Sequence, residues 1–307
     1  MSNTGENAFL GKECKHVCYA SANDGSRSDL LLVKEYIHEA GKEPVPQVTL
    51  VADYKRNFWV TKEGYQKHPD KKEWEEEKRL NKFTTTQVNL TREISKALNK
   101  QKLDGNSLRM LARNQYLYGC DVTTPVLMKQ QYMSKWPNCI SPNSVAVLDI
   151  ETDVVRGTEE IICISITFRD RAILVYTKEF VAGITNVVEG THSLFEHYLG
   201  EHKAARNIKL EVMVVDTPAL AVIECINRAH QWMPDFIAIW NINFDLPKII
   251  QCLERERYDL GEVFSHPSVP NKFRQARFIE GAAQKVTASG KSMPLHPADR
   301  WHTMECM

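Results

Sequence analysis

The stretch Val145-Ala146-Val147-Leu148-Asp149-Ile150-Glu151-Thr152 constrains the fold of this chain more than any other. It is an apolar run that ends in acid-x-acid, and it reads as a β-strand. Side chains alternate along a strand, so Asp149 and Glu151 project from one face while Leu148 and Ile150 project from the other. Two carboxylates held that close raise each other's pKa and are costly to keep ionised without a cation between them. Hard oxygen ligands at this spacing suit Mg²⁺ or Mn²⁺. A lone acid-x-acid is equally what a strand shows when it runs out into an acidic, solvated loop, so a second acidic element has to decide.

That element is Phe236-Ile237-Ala238-Ile239-Trp240-Asn241-Ile242-Asn243-Phe244-Asp245-Leu246-Pro247, a short apolar strand that breaks into Asn-x-x-Phe-Asp. Pro247 and the apolar residues at 249, 250 and 253 predict a helix that starts near the proline. Asp245 is then expected at a strand-to-helix junction, where the alternative is an ordinary helix N-cap. The two elements in this order are far more specific than either alone.

With both in hand, the chain resembles the 3′→5′ proofreading exonuclease domain of family-B DNA polymerases, phage enzymes in particular, within the DEDD nuclease superfamily. Asp149-Ile150-Glu151 is similar to that family's first exonuclease motif and Asn241-Ile242-Asn243-Phe244-Asp245 to its second. Many family-B members place three residues between the Asn and the Phe-Asp. The two found here are the spacing of protein-primed phage polymerases and stand-alone DEDD exonucleases. Upstream, Tyr118-Gly119-Cys120-Asp121 and Lys135-Trp136-Pro137 resemble the approach to the exonuclease domain.

The resemblance implies a two-metal site of Mg²⁺ or Mn²⁺ held by Asp149, Glu151 and Asp245, with Thr152, Asn241 and Phe244 binding the substrate. It implies primer-template DNA and a single-stranded 3′ end as partners, together with the palm, fingers and thumb of a polymerase, in the same or a separate chain. The family's third motif, Tyr-x-x-x-Asp, belongs well downstream of Asp245 and is not found before Met307. The expectation is therefore a C-terminally incomplete exonuclease domain, weakly active or inactive by itself. His230 to Asp235 fits the His-x4-Asp variant of the third motif but precedes the second motif, which is the wrong order. Two rival readings stay open: a non-catalytic assembly half of a split polymerase, and another RNase H-like nuclease, one acting on RNA included.

At 307 residues the chain is long enough for two domains with cores of their own. A hydrophobic content of 43% with 25% charged residues is that of a globular protein. Its net charge of zero argues against a large duplex-binding face, though not against a narrow cleft for unpaired nucleotides. No run approaches the ~18 apolar residues of a membrane span, and Met1 to Glu6 lack a signal-peptide profile, so the cytoplasm is expected, the host's if the chain is phage-encoded. The eight cysteines read as reduced. Cys14, His16 and Cys18 cluster, but no second ligand pair is spaced to complete a zinc site.

The fold class expected is α/β, an RNase H-like exonuclease domain over 141–307 preceded by a β-rich α+β domain over 1–140. Strands are predicted at 30–37, 47–51, 57–61, 161–168, 172–177 and 211–215. Helices are predicted at 90–98 and 107–113, and the mixed charges of 70–79 suggest a solvated helix. The turn-rich Pro137 to Asn143 marks a boundary. Thr217-Pro218 opens a helix with apolar positions 220, 223, 226 and 229. A crossover from it is expected to bring Asp245 beside Asp149 and Glu151. Tyr54 to Trp59 interleaves basic and aromatic residues, either for stacking on a single strand or as a strand with its rings packed inward. Lys285 to Met293 reads as a hairpin around Ser289-Gly290, and the resemblance gives such a hairpin a role in parting primer from template.

Overall fold

A computed structural model describes residues 8–98, 108–282, 284–286, 292–294 and 303–307. The chain divides into two compact units, one of residues 1–141 with 269–273 and one of 142–268 with 274–307.

In the first unit β1 (Phe9–Ser21), β2 (Asp29–Glu39) and β3 (Val45–Ala52) form an antiparallel sheet in that order. A second antiparallel sheet joins β4 (Arg56–Thr61), β5 (Leu80–Thr85) and β6 (Leu117–Tyr118), with β4 in the middle. Helices α1 (Leu90–Ala97), α2 (Leu108–Leu111) and α3 (Thr124–Lys135) complete the unit. Leu90 and Ile94 of α1 pack with Phe58, Val60 and Leu117, while Met128 of α3 packs on Leu31 and Val33.

One expectation for this unit is corrected, and one pair of alternatives is decided. Residues 70–79 form no α-helix; only a short 3₁₀ turn, Glu77–Arg79, is present, because the segment has charges but no apolar stripe to bury. The basic-aromatic stretch at 54–59 turns inward instead of offering a stacking platform. Arg56 is 2% exposed and donates to the Gly119 and Val122 carbonyls (both 2.7 Å) and to Gln87 Oε1 (2.6 Å). Phe58 is buried and stacks on Phe83 with centroids 5.1 Å apart.

The second unit is a mixed α/β layer. Its strands are β7 (Val145–Thr152), β8 (Ile161–Phe168), β9 (Arg171–Thr177), β10 (Lys209–Val215) and β11 (Phe236–Ile239), ordered β10-β9-β8-β7-β11. β8 runs antiparallel to β7 and β9, while β10 is parallel to β9 and β11 parallel to β7. Helices α4 (Val187–Arg206), α5 (Pro218–Trp232), α6 (Ile242–Arg255) and α7 (Leu260–Phe264) follow the strands. One face of the sheet, with Leu148, Ile150, Ile164, Ile166, Ile173 and Val175, packs on α5, α6 and α7 through Val222, Cys225, Ile226, Ile249, Leu253 and Phe264.

The α5 start is as the Thr-Pro pair predicts: Thr217 caps it, its side chain accepting from Leu220 N at 3.3 Å, and Pro218 opens it. The buried stripe differs from expectation, running through Ala219, Val222, Ile226 and Ala229 with Ala221 and Cys225, so Leu220 and Ile223 are only half-buried. Small residues let the helix lie close to the sheet, and apolar size alone misassigned the face.

Helix α4, the crossover between the parallel strands β9 and β10, was not anticipated. It buries no residue at all. Beyond α7, β12 (Ala276–Ile279) pairs antiparallel with the last strand, β15 (Thr303–Cys306). Between them β13 (Gln284–Val286) pairs with β14 (Ser292–Pro294), the two arms of the predicted hairpin. Its turn, Ser289-Gly290 included, lies outside the described residues. No described helix is long and apolar enough to cross a membrane.

Candidate functional site

Strand β7 carries the period-two pattern in full: Ala146, Leu148 and Ile150 are buried, while Val145, Val147, Asp149 and Glu151 are exposed. The two acids stand on the outward face, opposite Ser165 and Cys163 of β8. The register slips between Glu151 and Thr152, a bulge that ends regular pairing just past the acids and leaves Thr152 half-buried.

β11 lies against β7 on the side away from β8, with Ile239 in register with Leu148. Both strands run the same way, so the chain leaving β11 emerges beside Asp149. In open α/β sheets, ligand crevices form outside the carboxyl ends of parallel strands.

Here the sequence expectation needs correcting. Helix α6 begins at Ile242, with Asn241 at its cap position, and Pro247 lies inside it. Asp245 is therefore at the strand-to-helix junction as expected, not as an N-cap but in the first turn of the helix. The Asn241 carbonyl accepts from the N–H groups of Phe244 (2.8 Å) and Asp245 (2.9 Å), and the Asn241 side chain makes no capping bond. Pro247 has no N–H to return to the Asn243 carbonyl, so the turn holding Asp245 has one rung fewer than a regular helix.

Asp245 is 4% exposed, and its Oδ2 has no hydrogen-bond partner. Burial, then the negative charge of Asp149 and, more weakly, of Glu151, push its pKa above the ordinary carboxylate range, partly offset by a backbone hydrogen bond from Asn241. The same two acids add to burial in pushing the Cys163 thiol up to about 12. The three acids predicted from the sequence are thus electrostatic neighbours. Among the described residues, however, no group of three or more His, Cys, Asp or Glu side chains stands arranged to hold a metal ion.

The substrate-binding expectations are placed as follows. Phe244 is 40% exposed, with the Lys248 ammonium 5.6 Å from its ring centroid, and Lys248 also pairs with Glu159. Trp240, which the sequence reading did not single out, is 96% exposed between β11 and α6. Its place as the last aromatic of the apolar run before Asn241 is legible in the sequence. Of the acids and imidazoles on the helix before β11, Glu224 lies 3.9 Å from Arg228, and His230 Nε2 donates to the Val263 carbonyl at 3.2 Å. Asp235, the acid of the out-of-order His-x4-Asp, accepts from Ser144 N (2.7 Å) and Oγ (2.9 Å) and so fastens the entry to β7. Cys14 and His16 are separated by a bulge in β1, and all eight cysteines are free thiols.

In donor chemistry, though not in the arrangement of the side chains as they stand, a buried carboxylate with an unpartnered oxygen near two more carboxylates suits a hard divalent cation, since a cation would satisfy the orphan oxygen and remove the repulsion together. Comparison with protein-family models finds no match, and comparison with curated proteins finds none either.

Proposed function

We propose that this chain carries a divalent-metal-dependent 3′→5′ exonuclease module of the kind found in family-B DNA polymerases, built on an RNase H-like domain. The observation that carries the reading is Asp245, buried and with one oxygen unsatisfied, held beside Asp149 and Glu151 at the ends of two parallel strands. A pair of Mg²⁺ or Mn²⁺ ions, when bound, would generate hydroxide at neutral pH and stabilise the leaving oxygen. Asp149 and Glu151 supply carboxylate oxygens from the exposed face of β7, and Asp245 supplies its own from the first turn of α6. Phe244, with Asn241 at the α6 cap and Thr152 just past Glu151, offers the aromatic and polar contacts that would seat the terminal nucleotide of an unpaired 3′ end.

A second reading concerns assembly. Val145 and Val147 are about half exposed on the strand that carries the acids, Phe236 lies open on the neighbouring one, and Trp240 lies open just past its end. Apolar surface beside a catalytic face favours a further polypeptide segment, such as the polymerase portion, packing there.

The test has two parts. Mn²⁺ binding by the chain is followed by electron paramagnetic resonance, and release of 3′ nucleotides from single-stranded DNA and RNA is followed with and without the polymerase portion. Asp149→Ala is expected to abolish Mn²⁺ binding at the site and to lower hydrolysis at least about a hundredfold, as for loss of a transition-state contact. Unchanged Mn²⁺ binding and unchanged DNA degradation in Asp149→Ala would sink the proposal. Hydrolysis that appears only with the added portion supports the assembly reading, and preference for RNA supports a different nuclease.

A further inference from the structure

A second constellation lies in the same unit, on residues that the acidic site does not use. Along the C-terminal half of α5, Asn227, Arg228, His230 and Gln231 line one side of a cavity of ≈ 330 Å³, open to solvent, that is closed on another side by His266 and Pro267. No carboxylate lines it, and every lining side chain except the proline carries an N–H donor.

The hydrogen bonds around the cavity fix which donors remain. Arg228 grips Glu211 through Nε (2.9 Å) and Nη2, while Nη1 has only Glu224 nearby at 3.9 Å, beyond hydrogen-bond reach. His266 Nδ1 accepts the Ser268 backbone N–H (3.3 Å) and lies 2.7 Å from Ser268 Oγ, which places the neutral ring's proton on Nε2. The His230 ring stands nearly perpendicular to it, with centroids 5.8 Å apart. Arg274, donating to the Pro267 carbonyl at 3.1 Å, adds a second guanidinium to the rim. Burial holds both imidazoles below their ordinary pKa, and the charges of His266 and Arg274 depress His230 further.

A cation is poorly suited to this place. Two imidazoles are short of the three or four ligands that zinc takes, and two guanidiniums repel the ion. The carbonyl end of α5 disfavours an anion only within its last turn, and a charge-assisted bond from Arg228 with a neutral one from the His266 Nε2–H offsets that. The volume exceeds what a bare phosphate fills and falls at the low end of the roughly 300–1,000 Å³ typical of small-ligand sites. We propose that this cavity binds a small phosphate-bearing molecule of mononucleotide size, its phosphate held by Arg228 Nη1 and His266 Nε2–H with the Asn227 and Gln231 amides beside it. The proposal does not rest on the acidic site.

The test uses the full chain in EDTA, so that metal-dependent binding at Asp149 is silent. Inorganic phosphate and 5′-dAMP are titrated separately, with the histidine ring resonances followed by NMR and affinity measured by calorimetry. The expected result is saturable binding at millimolar or lower concentration that moves the His230 and His266 resonances and raises both imidazole pKa values. Tighter binding of 5′-dAMP assigns a nucleotide, and equal affinity assigns free phosphate as the ligand. Gln231 is exposed, so Gln231→Glu should leave the melting temperature unchanged while weakening binding at least tenfold, and Asp149→Ala should bind like the parent. Histidine resonances unmoved by either ligand, or a Gln231→Glu chain that binds as tightly as the parent, would overturn the proposal.

Discussion

Asp245 is held in a position that an ionised carboxylate resists, and its titration should show it. Its pKa in the folded chain lies above the ordinary value because of burial and the charge of Asp149. A folded acid with a raised pKa binds its proton more tightly than the unfolded chain does. Stability in the absence of metal therefore falls as pH rises from the unfolded pKa, near 3.9, to the raised folded value, and then levels off. Asp245→Asn removes that loss. In EDTA the variant should melt above the parent at pH 7, with the difference shrinking as pH falls toward 4. With Mn²⁺ added the order should reverse, because only the parent has the oxygen that the cation satisfies. Scanning calorimetry across pH, with and without Mn²⁺, reads both effects. A variant that melts below the parent in EDTA at pH 7 would mean that the crowding among the three acids is not felt.

Among the elements, those legible in the sequence are the ones whose local chemistry agrees with their packing. β7 shows its two faces in its own alternation, and Thr217-Pro218 marks the start of α5 because a capping hydroxyl and a proline at the first position serve nothing else so well. α4 was illegible for the opposite reason: Leu194, Tyr198 and Leu199 are all exposed, so no stripe distinguishes an inward face. Of the candidate site, the sequence shows Asp149 and Glu151 on one face of β7 and Asp245 in the segment that follows the neighbouring strand β11. It does not show the start of α6, because Pro247 signals a first position that the proline does not occupy. The first unit hides another such constraint at Gly119. Its φ is +76°, and a Cβ there would lie 2.6 Å from the Trp59 ring. Gly119→Ala must therefore strain the backbone and displace an indole beside the carbonyl that Arg56 holds. The expected cost is at least about 2 kcal/mol, read as a lower urea midpoint with an unchanged slope. Arg56→Met, which leaves the Gly119 and Val122 carbonyls without their donor, should cost about as much. Gly119→Ala at parental stability would show that Trp59 yields freely.

Over the whole chain the two units interleave, and neither is one continuous stretch. The first is not made from one continuous stretch: residues 269–273 belong with it although the chain on both sides of them belongs to the second. The return is specific. Asn23 N–H donates to the Lys272 carbonyl at 2.9 Å, the Lys272 ammonium lies 3.3 Å from Ser28 Oγ, and Phe273 is buried. The sequence boundary at Pro137 to Asn143 is thus close to where the units part but cannot describe the first unit fully, since nothing local in Val269-Pro270-Asn271-Lys272-Phe273 announces a distant partner. A fragment of residues 1–141 lacks this segment, and losing the burial of one phenylalanine alone removes about 1.5–3 kcal/mol. Such a fragment should unfold at lower urea than the same strands do within the intact chain, followed by amide hydrogen exchange in β1 to β4 so that the second unit does not contribute. Phe273→Ala in the intact chain should reproduce most of the loss, and a peptide spanning 266–276 added to the fragment should restore part of it. If β1 to β4 exchange at the same rate in the fragment as in the intact chain, residues 269–273 add nothing to the first unit, and the cut at 141 would separate two domains cleanly.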